Sequence, residues 1–231
     1  MSIKLSALAL GITLAYGATA AMAADEASIY QTGWYNDASI EQYNNTNATA
    51  MLNQSGFGND GVIVQQRVNG GDARIDQNGS FGTATINQDG IKGSGHYEYE
   101  WRHWRPEKVW VPGTWTQGVN QTASINQVSG WNNDAWITQT GANVDASITQ
   151  AGVRNTAGIV QVGTGAQDIA SITQTGYRND AYIDQNGANL KATIWQGGAK
   201  QEATILQEGS NKTATITQAS GYANVAYINQ R

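Results

Sequence analysis

The chain has 231 residues and no cysteine, which excludes disulfide bonds and a thiol nucleophile. Its 13 Lys and Arg include Lys4 in a predicted leader, so the rest of the chain carries 12 basic residues against 18 acidic ones, a net charge of −6. This acidic balance argues against a nucleic-acid-binding module, so no nucleic-acid partner is expected.

Residues 1–23 are typical of a secretory signal peptide. Lys4 precedes an apolar run over residues 5–16, and the segment ends in small residues up to Ala23. The apolar run is too short for a stable membrane span. The sequence therefore predicts a secreted protein whose mature chain starts at Ala24 and has no transmembrane segment.

Residues 24–90 hold six copies of a short repeat, and residues 122–231 hold ten more. In the first copy, Ala27, Ile29 and Gln31 alternate with period two and so share one face of a strand. The predicted apolar core residues are Ile29, Ile40, Leu52, Ile63, Ile75, Ile86, Ile125, Ile137, Ile148, Ile159, Ile172, Ile183, Ile194, Ile205, Ile216 and Ile228. The glutamines two residues later are Gln31, Gln42, Gln54, Gln65, Gln77, Gln88, Gln127, Gln139, Gln150, Gln161, Gln174, Gln185, Gln196, Gln207, Gln218 and Gln230.

A strand of about five residues cannot bury its apolar face alone, so successive copies must stack. Two copies make one coil of 22 to 24 residues. The predicted fold is therefore all-β: a two-sheet parallel β-solenoid, cross-β and amyloid-like, of about eight strand–turn–strand coils. In register, each inward glutamine can bond to the glutamines above and below, which predicts a structural ladder. The alternative is that these glutamines lie on the surface and serve solubility.

Residues 91–121 interrupt the repeats and predict a Trp-rich insertion, either a loop or a hairpin. The segment alternates on either side of residues 105–108, which favours a hairpin that turns there. An aromatic and charged excursion could contact a partner, a surface or a polysaccharide, whereas the plainer interpretation is an insertion tolerated at a coil corner. The candidate contact residues are Trp101, Trp104, Trp110 and Trp115.

The same segment contains both histidines, His96 and His103. Their spacing to Glu98 and Glu100 matches no established metal-ligand motif. Elsewhere the carboxylates recur singly beside turns, and no acid–base pair is arranged along one face. The sequence therefore predicts no catalytic residue, no metal site and no cofactor, and a protein that is not an enzyme.

The two ends of the repeat array predict self-association. The first copy begins at Ala27, three residues after the predicted cleavage site, and the last ends at Gln230 and Arg231, so neither end has room for a capping segment. An open coil presents unpaired N–H and C=O groups. Such ends are expected to add further copies head to tail and form a filament.

The repeats resemble curlin repeats. In that pattern a Gln is followed by four intervening residues and an Asn, and then by five intervening residues and a second Gln. The spacing is met by Gln31, Asn36 and Gln42, by Gln54, Asn59 and Gln65, by Gln150, Asn155 and Gln161, and by Gln174, Asn179 and Gln185. Three features depart from the family pattern. The opening Ser is missing, as at Asp25 and Asp168, the polar N-terminal secretion segment is nearly absent, and the insertion is not part of the pattern.

This resemblance implies a structural subunit of curli, extracellular amyloid fibres that bacteria use in adhesion and biofilm matrix. The implied partners are the protein itself, a second curlin subunit, and the outer-membrane secretion channel with its accessory factors. The regular repeats favour the major, fibre-building subunit, whereas the Gln230–Arg231 terminus resembles the minor, nucleating one.

A monomeric solenoid that binds ice or a glycan is the alternative from another class. Its basis is a row of outward-facing Ser and Thr pairs that recur on every second strand. Trp195 interrupts this row, and the row ends at Asn126. The pairs are Ser147 and Thr149, Ser171 and Thr173, and Thr215 and Thr217.

Overall fold

The computed structural model describes residues 12–13, 25–93, 96–102, 105–111 and 113–231. Apart from residues 12–13, the predicted signal peptide lies outside the described residues. The strands are β1 (Ile12–Thr13), β2 (Glu26–Trp34), β3 (Asp37–Tyr43), β4 (Thr49–Phe57), β5 (Asp60–Gln66), β6 (Val68–Asn69), β7 (Asp72–Ser80), β8 (Thr83–Asp89), β9 (Ile91–Lys92), β10 (His96–Arg102), β11 (Arg105–Val111), β12 (Trp115–Thr116), β13 (Gly118–Trp131), β14 (Asp134–Val153), β15 (Thr156–Tyr177), β16 (Asp180–Ala199), β17 (Glu202–Gln218) and β18 (Val225–Gln230).

The repeat strands pair in parallel with the strands one turn later, and equivalent residues lie opposite each other. β2 pairs with β4 so that Ile29 lies opposite Leu52 and Gln31 lies opposite Gln54. A shift of one residue would turn the buried side chains toward solvent, so burial specifies this register. The structure confirms the predicted all-β fold, a parallel β-solenoid of about eight turns.

The solenoid has two faces joined by two corners. Face 1 begins with β2, β4, β7 and β13, and face 2 begins with β3, β5 and β8. Strands β14 to β17 each run from face 2 into face 1, so β14 contains both Ile137 of face 2 and Ile148 of face 1. We call the turn from face 1 to face 2 corner A, and the turn from face 2 to face 1 corner B.

Isoleucine and alanine fill the space between the two faces. Ile75, Ile137 and Ile159 are fully buried, and each such side chain contributes about 1.5–3 kcal/mol relative to an exposed one. The terminal turns differ, because Ile29 and Ile228 are only partly buried. The core is therefore continuous through the stack and incomplete at both of its ends.

Corner A contains glycine because the backbones of successive turns approach closely there. Gly176 has φ of +108°, and a Cβ placed on it would lie 2.0 Å from the carbonyl oxygen of Gly198. Each corner then has a residue in the left-handed region, which we call the tip residue. The tip residues of corner A are Tyr35, Gly58, Phe81, Asn132, Arg154, Arg178, Lys200 and Ala223.

The insertion leaves the solenoid at corner B as an antiparallel hairpin. β9 pairs with β12, and β10 pairs with β11 so that Trp101 lies opposite Pro106. The sequence predicts the turn at residues 105–108, and this is wrong because those residues lie in β11. Proline is tolerated there since both strands of a two-stranded sheet are edges. The stacked strands resume at Gly118, opposite Val68, which is three residues before the predicted end of the insertion.

Candidate functional site: two glutamine ladders and their terminal rungs

Two ladders of glutamine side chains run through the core. In each ladder, the Nε2 of one glutamine donates to the Oε1 of the glutamine one turn later, at 2.7–3.1 Å. The face 1 ladder comprises Gln31, Gln54, Gln77, Gln127, Gln150, Gln174, Gln196 and Gln218. The face 2 ladder comprises Gln42, Gln65, Gln88, Gln139, Gln161, Gln185, Gln207 and Gln230.

The same amides also connect the two faces. Gln196 of face 1 donates from Nε2 to the carbonyl oxygen of Asp180 on face 2 at 3.0 Å. Gln185 of face 2 donates likewise to the carbonyl oxygen of Ile169 on face 1 at 3.1 Å. A buried amide without partners would cost about 1–3 kcal/mol, and these bonds avoid that cost. The ladders therefore stabilise both the stacking of turns and the packing of the faces.

Asparagine side chains form a further buried column at corner A. The Oδ1 of Asn155 accepts from the backbone N–H of Asn179 at 3.1 Å, and its Nδ2 donates to the carbonyl oxygen of Ala151 at 3.1 Å. The side chains that make the same two contacts are Asn36, Asn59, Asn133 and Asn179. The candidate site residues predicted from the sequence omit this column. The signal that could have predicted it is the recurrence of Asn after each Gln and four intervening residues.

The ladders have a direction, which distinguishes the two ends of the stack. Every donor points toward the next turn along the chain, so the Oε1 atoms of Gln31 and Gln42 accept no bond from any described residue. At the other end, Gln218 and Gln230 donate to backbone carbonyls but have no described glutamine beyond them. One end thus presents two amide acceptors and the other presents two amide donors.

The family comparison agrees with the repeat structure. The Curlin associated repeat matches residues 170–198 and 189–219, which run from β15 through β16 to the end of β17. The chain belongs to the curlin family. No curated protein matches the chain. The turns of this curlin outside the matched residues keep the same register, as in the pairing of β2 with β4.

The outer edges of the terminal strands in this curlin have few partners. Among the described residues, β3 pairs only with β5, and β18 pairs only with β17. The outer edge of β2 is paired over two residues by β1, where Ile12 lies opposite Ile29. Because β1 belongs to the predicted signal peptide, its removal at Ala23 would leave that edge without this strand.

Of the four predicted contact tryptophans, Trp115 has a side chain within the described part of the chain. Trp115 lies where the insertion joins the solenoid, with the guanidinium carbon of Arg67 3.6 Å from the centre of its ring. Arg67 also forms an ion pair with Asp89 at 2.8 Å. The backbones of Trp101 and Trp110 lie in the hairpin, whereas Trp104 and the side chains of the hairpin are outside the described part of the chain. Trp115 therefore stabilises the attachment of the insertion.

Four buried or partly buried side chains of the curlin stack have a polar atom without a hydrogen-bond partner among the described residues: Arg67, Gln121, Asp168 and Gln201. Gln201 follows Asn179 in the corner A column, and both atoms of its amide are buried without a partner among the described residues. Asp168 accepts from the backbone N–H of Leu190 at 2.8 Å through Oδ1, but its buried Oδ2 has no such partner. Burial raises the pKa of Asp168, although the bond from Leu190 opposes the shift.

The described part of this curlin contains no arrangement that points to metal chemistry. No group of three or more His, Cys, Asp or Glu side chains in that part could hold a metal ion. The side chains of His96 and His103 lie outside the described residues. Within the described residues, no helix has the length and apolar character needed to cross a membrane.

Proposed function

We propose that this curlin is a structural subunit of an extracellular curli-type fibre, in which copies stack head to tail. The observation that carries the proposal is the state of the terminal turns. Ile29 and Ile40 at one end, and Ile228 at the other, are only partly buried, whereas interior residues such as Ile159 are fully buried. A second copy placed on either end would complete this burial, and hydrophobic burial is the dominant favourable term in association.

The hydrogen-bonding groups of the two ends are complementary. In the proposed junction, Nε2 of Gln218 donates to Oε1 of Gln31 of the next copy, as Gln196 donates to Gln218 within the chain at 2.9 Å. Gln230 and Gln42 of the next copy make the equivalent pair on face 2. These contacts join the donor end of one copy to the acceptor end of the next. The assembly therefore keeps a free end of each type, and addition continues into a filament.

The proposed setting is the bacterial cell surface, where the fibre would act in adhesion and biofilm matrix. The predicted signal peptide at residues 1–23 and membership of the curlin family support this location. The proposed partners are further copies, a second curlin subunit and the curli secretion channel. Removal of the signal peptide would also remove β1 from the edge of β2 and open the acceptor end for stacking.

The test uses the mature chain starting at Ala24 and its Gln230→Glu variant. The variant keeps the acceptor for Gln207 within the chain but lacks the amide donor that the junction requires. Mature wild-type protein should form thioflavin-positive fibres with cross-β diffraction after a lag. The variant should elongate wild-type seeds at least tenfold more slowly because it places a carboxylate against an acceptor.

Asn211→Asp is the matched control. It introduces the same charge at an exposed position of corner B and keeps the acceptor for Asn189, so it should elongate seeds at nearly the wild-type rate. Equal slowing of both variants would show that charge, rather than the missing donor, limits growth. A wild-type chain that remains a soluble monomer at high concentration would contradict the proposal.

Kinetics distinguish a major subunit from a minor nucleator, which the terminal Gln230–Arg231 sequence resembles. A nucleator should abolish the lag of its partner curlin at a substoichiometric ratio. A major subunit should instead form most of the fibre mass and need seeding. We propose the major role because the glutamine register continues without a break from Gln31 to Gln218.

A further inference from the structure

Three basic residues occupy the same backbone position of corner A in three consecutive turns. They are the consecutive tip residues Arg154, Arg178 and Lys200. The backbone N–H of Arg178 donates to the carbonyl oxygen of Val153 at 2.9 Å, and that of Lys200 donates to the carbonyl oxygen of Tyr177 at 2.9 Å. Each tip is thus hydrogen-bonded to the turn before it, and the basic residues are spaced at the ~4.8 Å of neighbouring strands.

None of the three basic side chains forms an ion pair with an acidic side chain of the described solenoid. All three basic residues are exposed, and the ion pairs among the described residues are Arg67 with Asp89 and Arg74 with Asp76. Asp180 follows Arg178 by two residues, yet burial first and Glu202 second raise the pKa of its carboxyl. A carboxylate paired with Arg178 would show the opposite shift.

The fold does not require a basic residue at these positions. Asn132, Gly58 and Ala223 occupy the same tip in other turns. Like charges opposite each other on neighbouring strands destabilise the pairing, so three in line oppose the stacking of this corner. An external chain of negative charges would remove that repulsion.

Aromatic rings accompany the basic residues along the same edge. The guanidinium carbon of Arg178 lies 5.0 Å from the centre of the Tyr177 ring, and Nζ of Lys200 lies 4.7 Å from that of Tyr222. Earlier along corner A, Phe57, Phe81 and Trp131 continue the edge with ring centres 5.1–5.2 Å apart. The corner therefore combines cations with flat apolar surfaces, on which the C–H faces of sugar rings can pack.

We propose that corner A binds a linear acidic polysaccharide whose uronate carboxylates pair with Arg154, Arg178 and Lys200. A polyuronate carries one carboxylate on each sugar ring, which suits one cation on each turn. Duplex DNA carries a charge about every 1.7 Å along its axis, much denser than the basic column. The net charge of −6 on the chain without its leader also opposes a dense polyanion.

The test measures binding of polygalacturonate to the immobilised mature chain at low salt. The double variant Arg154→Asn/Arg178→Asn should weaken binding about tenfold, because it removes two exposed ion pairs that are individually weak but add together. It should also reduce the salt dependence of binding, because salt screens exposed ion pairs. Asparagine is compatible with the tip conformation, because Asn132 occupies the equivalent position in an earlier turn. The control Lys191→Gln/Lys212→Gln removes two charges elsewhere and should bind like the wild type. Circular dichroism verifies folding, and single Arg154→Asn serves if the double variant misfolds.

Three results would overturn the proposal. The first is absence of polygalacturonate binding by the wild type, or equal binding by the corner A variant. The second is an equal loss in the control, which would assign the effect to net charge alone. The third is equally tight, equally variant-sensitive binding of duplex DNA or of anionic phospholipid vesicles, which would exclude recognition of a uronate chain.

Discussion

Gln174 donates from Nε2 to the Oε1 of Gln196 at 2.9 Å, and its own Oε1 accepts from Gln150 at the same distance. The side chains are buried, so water cannot replace either bond. Each glutamine therefore depends on the turns before and after it. This dependence couples the turns of the solenoid, as expected for a stack whose stability comes from nearest-neighbour contacts.

Gln174→Ala should destabilise the solenoid by about 1–3 kcal/mol, because it leaves Nε2 of Gln150 and Oε1 of Gln196 without their ladder partner. Thr173→Ala changes the adjacent side chain on the outer surface and should alter the free energy of unfolding by less than about 0.5 kcal/mol. Urea denaturation of freshly purified monomer measures both. Equal effects would show that the ladder bond contributes no more than an outer side chain.

Gln201→Asn should stabilise the protein by about 1 kcal/mol. Asparagine at this position in earlier turns makes two hydrogen bonds, whereas the amide of Gln201 is buried without a partner among the described residues. The shorter side chain should accept from the backbone N–H of Asn224 and donate to a carbonyl oxygen of corner A. Thermal and urea unfolding should both shift toward greater stability.

The reciprocal variant Asn179→Gln provides the control for this prediction. It should lose the contacts to Thr175 and Gln201 and destabilise the protein by a similar amount. If both variants change stability in the same direction, side-chain length is not the reason that Gln201 lacks partners.

The repeat pattern was sufficient to predict the fold because its signal is local. Ile29 and Gln31 occur at positions that alternate with period two, and their recurrence in every copy predicts parallel stacking in register, which the structure confirms. The attachment of the insertion is a different case. Arg67, Asp89 and Trp115 are far apart in the chain, and only the stacking of turns brings them together.

Isolated departures from the pattern were also beyond prediction. Gln201 carries the same amide group as Asn179, and the sequence does not show that its longer side chain lacks hydrogen-bond partners at corner A. Asp168 looks like a solvated turn carboxylate in the sequence, but the neighbouring turns bury it completely. Likewise, the alternation within the insertion indicated a hairpin but not the position of its turn, because Pro106 is compatible with an edge strand.

Gly176→Ala should prevent stable stacking, with a cost of several kcal/mol. The new Cβ would lie 2.0 Å from the carbonyl oxygen of Gly198, and the residue would keep an unfavourable φ of +108°. Gly165→Ala separates the two effects, since Gly165 has φ of +143° but no atom within 4 Å of its Cβ position. Circular dichroism and fibre yield should fall sharply for the first variant only. Equal losses would assign the effect to backbone strain rather than to the contact between turns.

Asp168→Asn should stabilise the solenoid at neutral pH by about 1–2 kcal/mol. Burial raises the pKa of Asp168 in the folded protein, so the folded state favours the protonated carboxyl. A carboxyl of this kind contributes stability that is complete below its unfolded pKa and is lost as pH rises through the folded value. The wild type should therefore gain stability as pH falls toward the ordinary range of aspartate, while the Asn variant should lack this component.

Urea unfolding of both proteins at intervals between neutral and mildly acidic pH measures the difference. The advantage of the Asn variant should be largest at neutral pH and shrink steadily on acidification, because protonation relieves the wild type of its buried charge. Glu208→Gln removes an exposed carboxylate instead and should show no comparable trend. An advantage that is independent of pH would attribute the stabilisation to a new amide hydrogen bond, with burial of the charge playing no part.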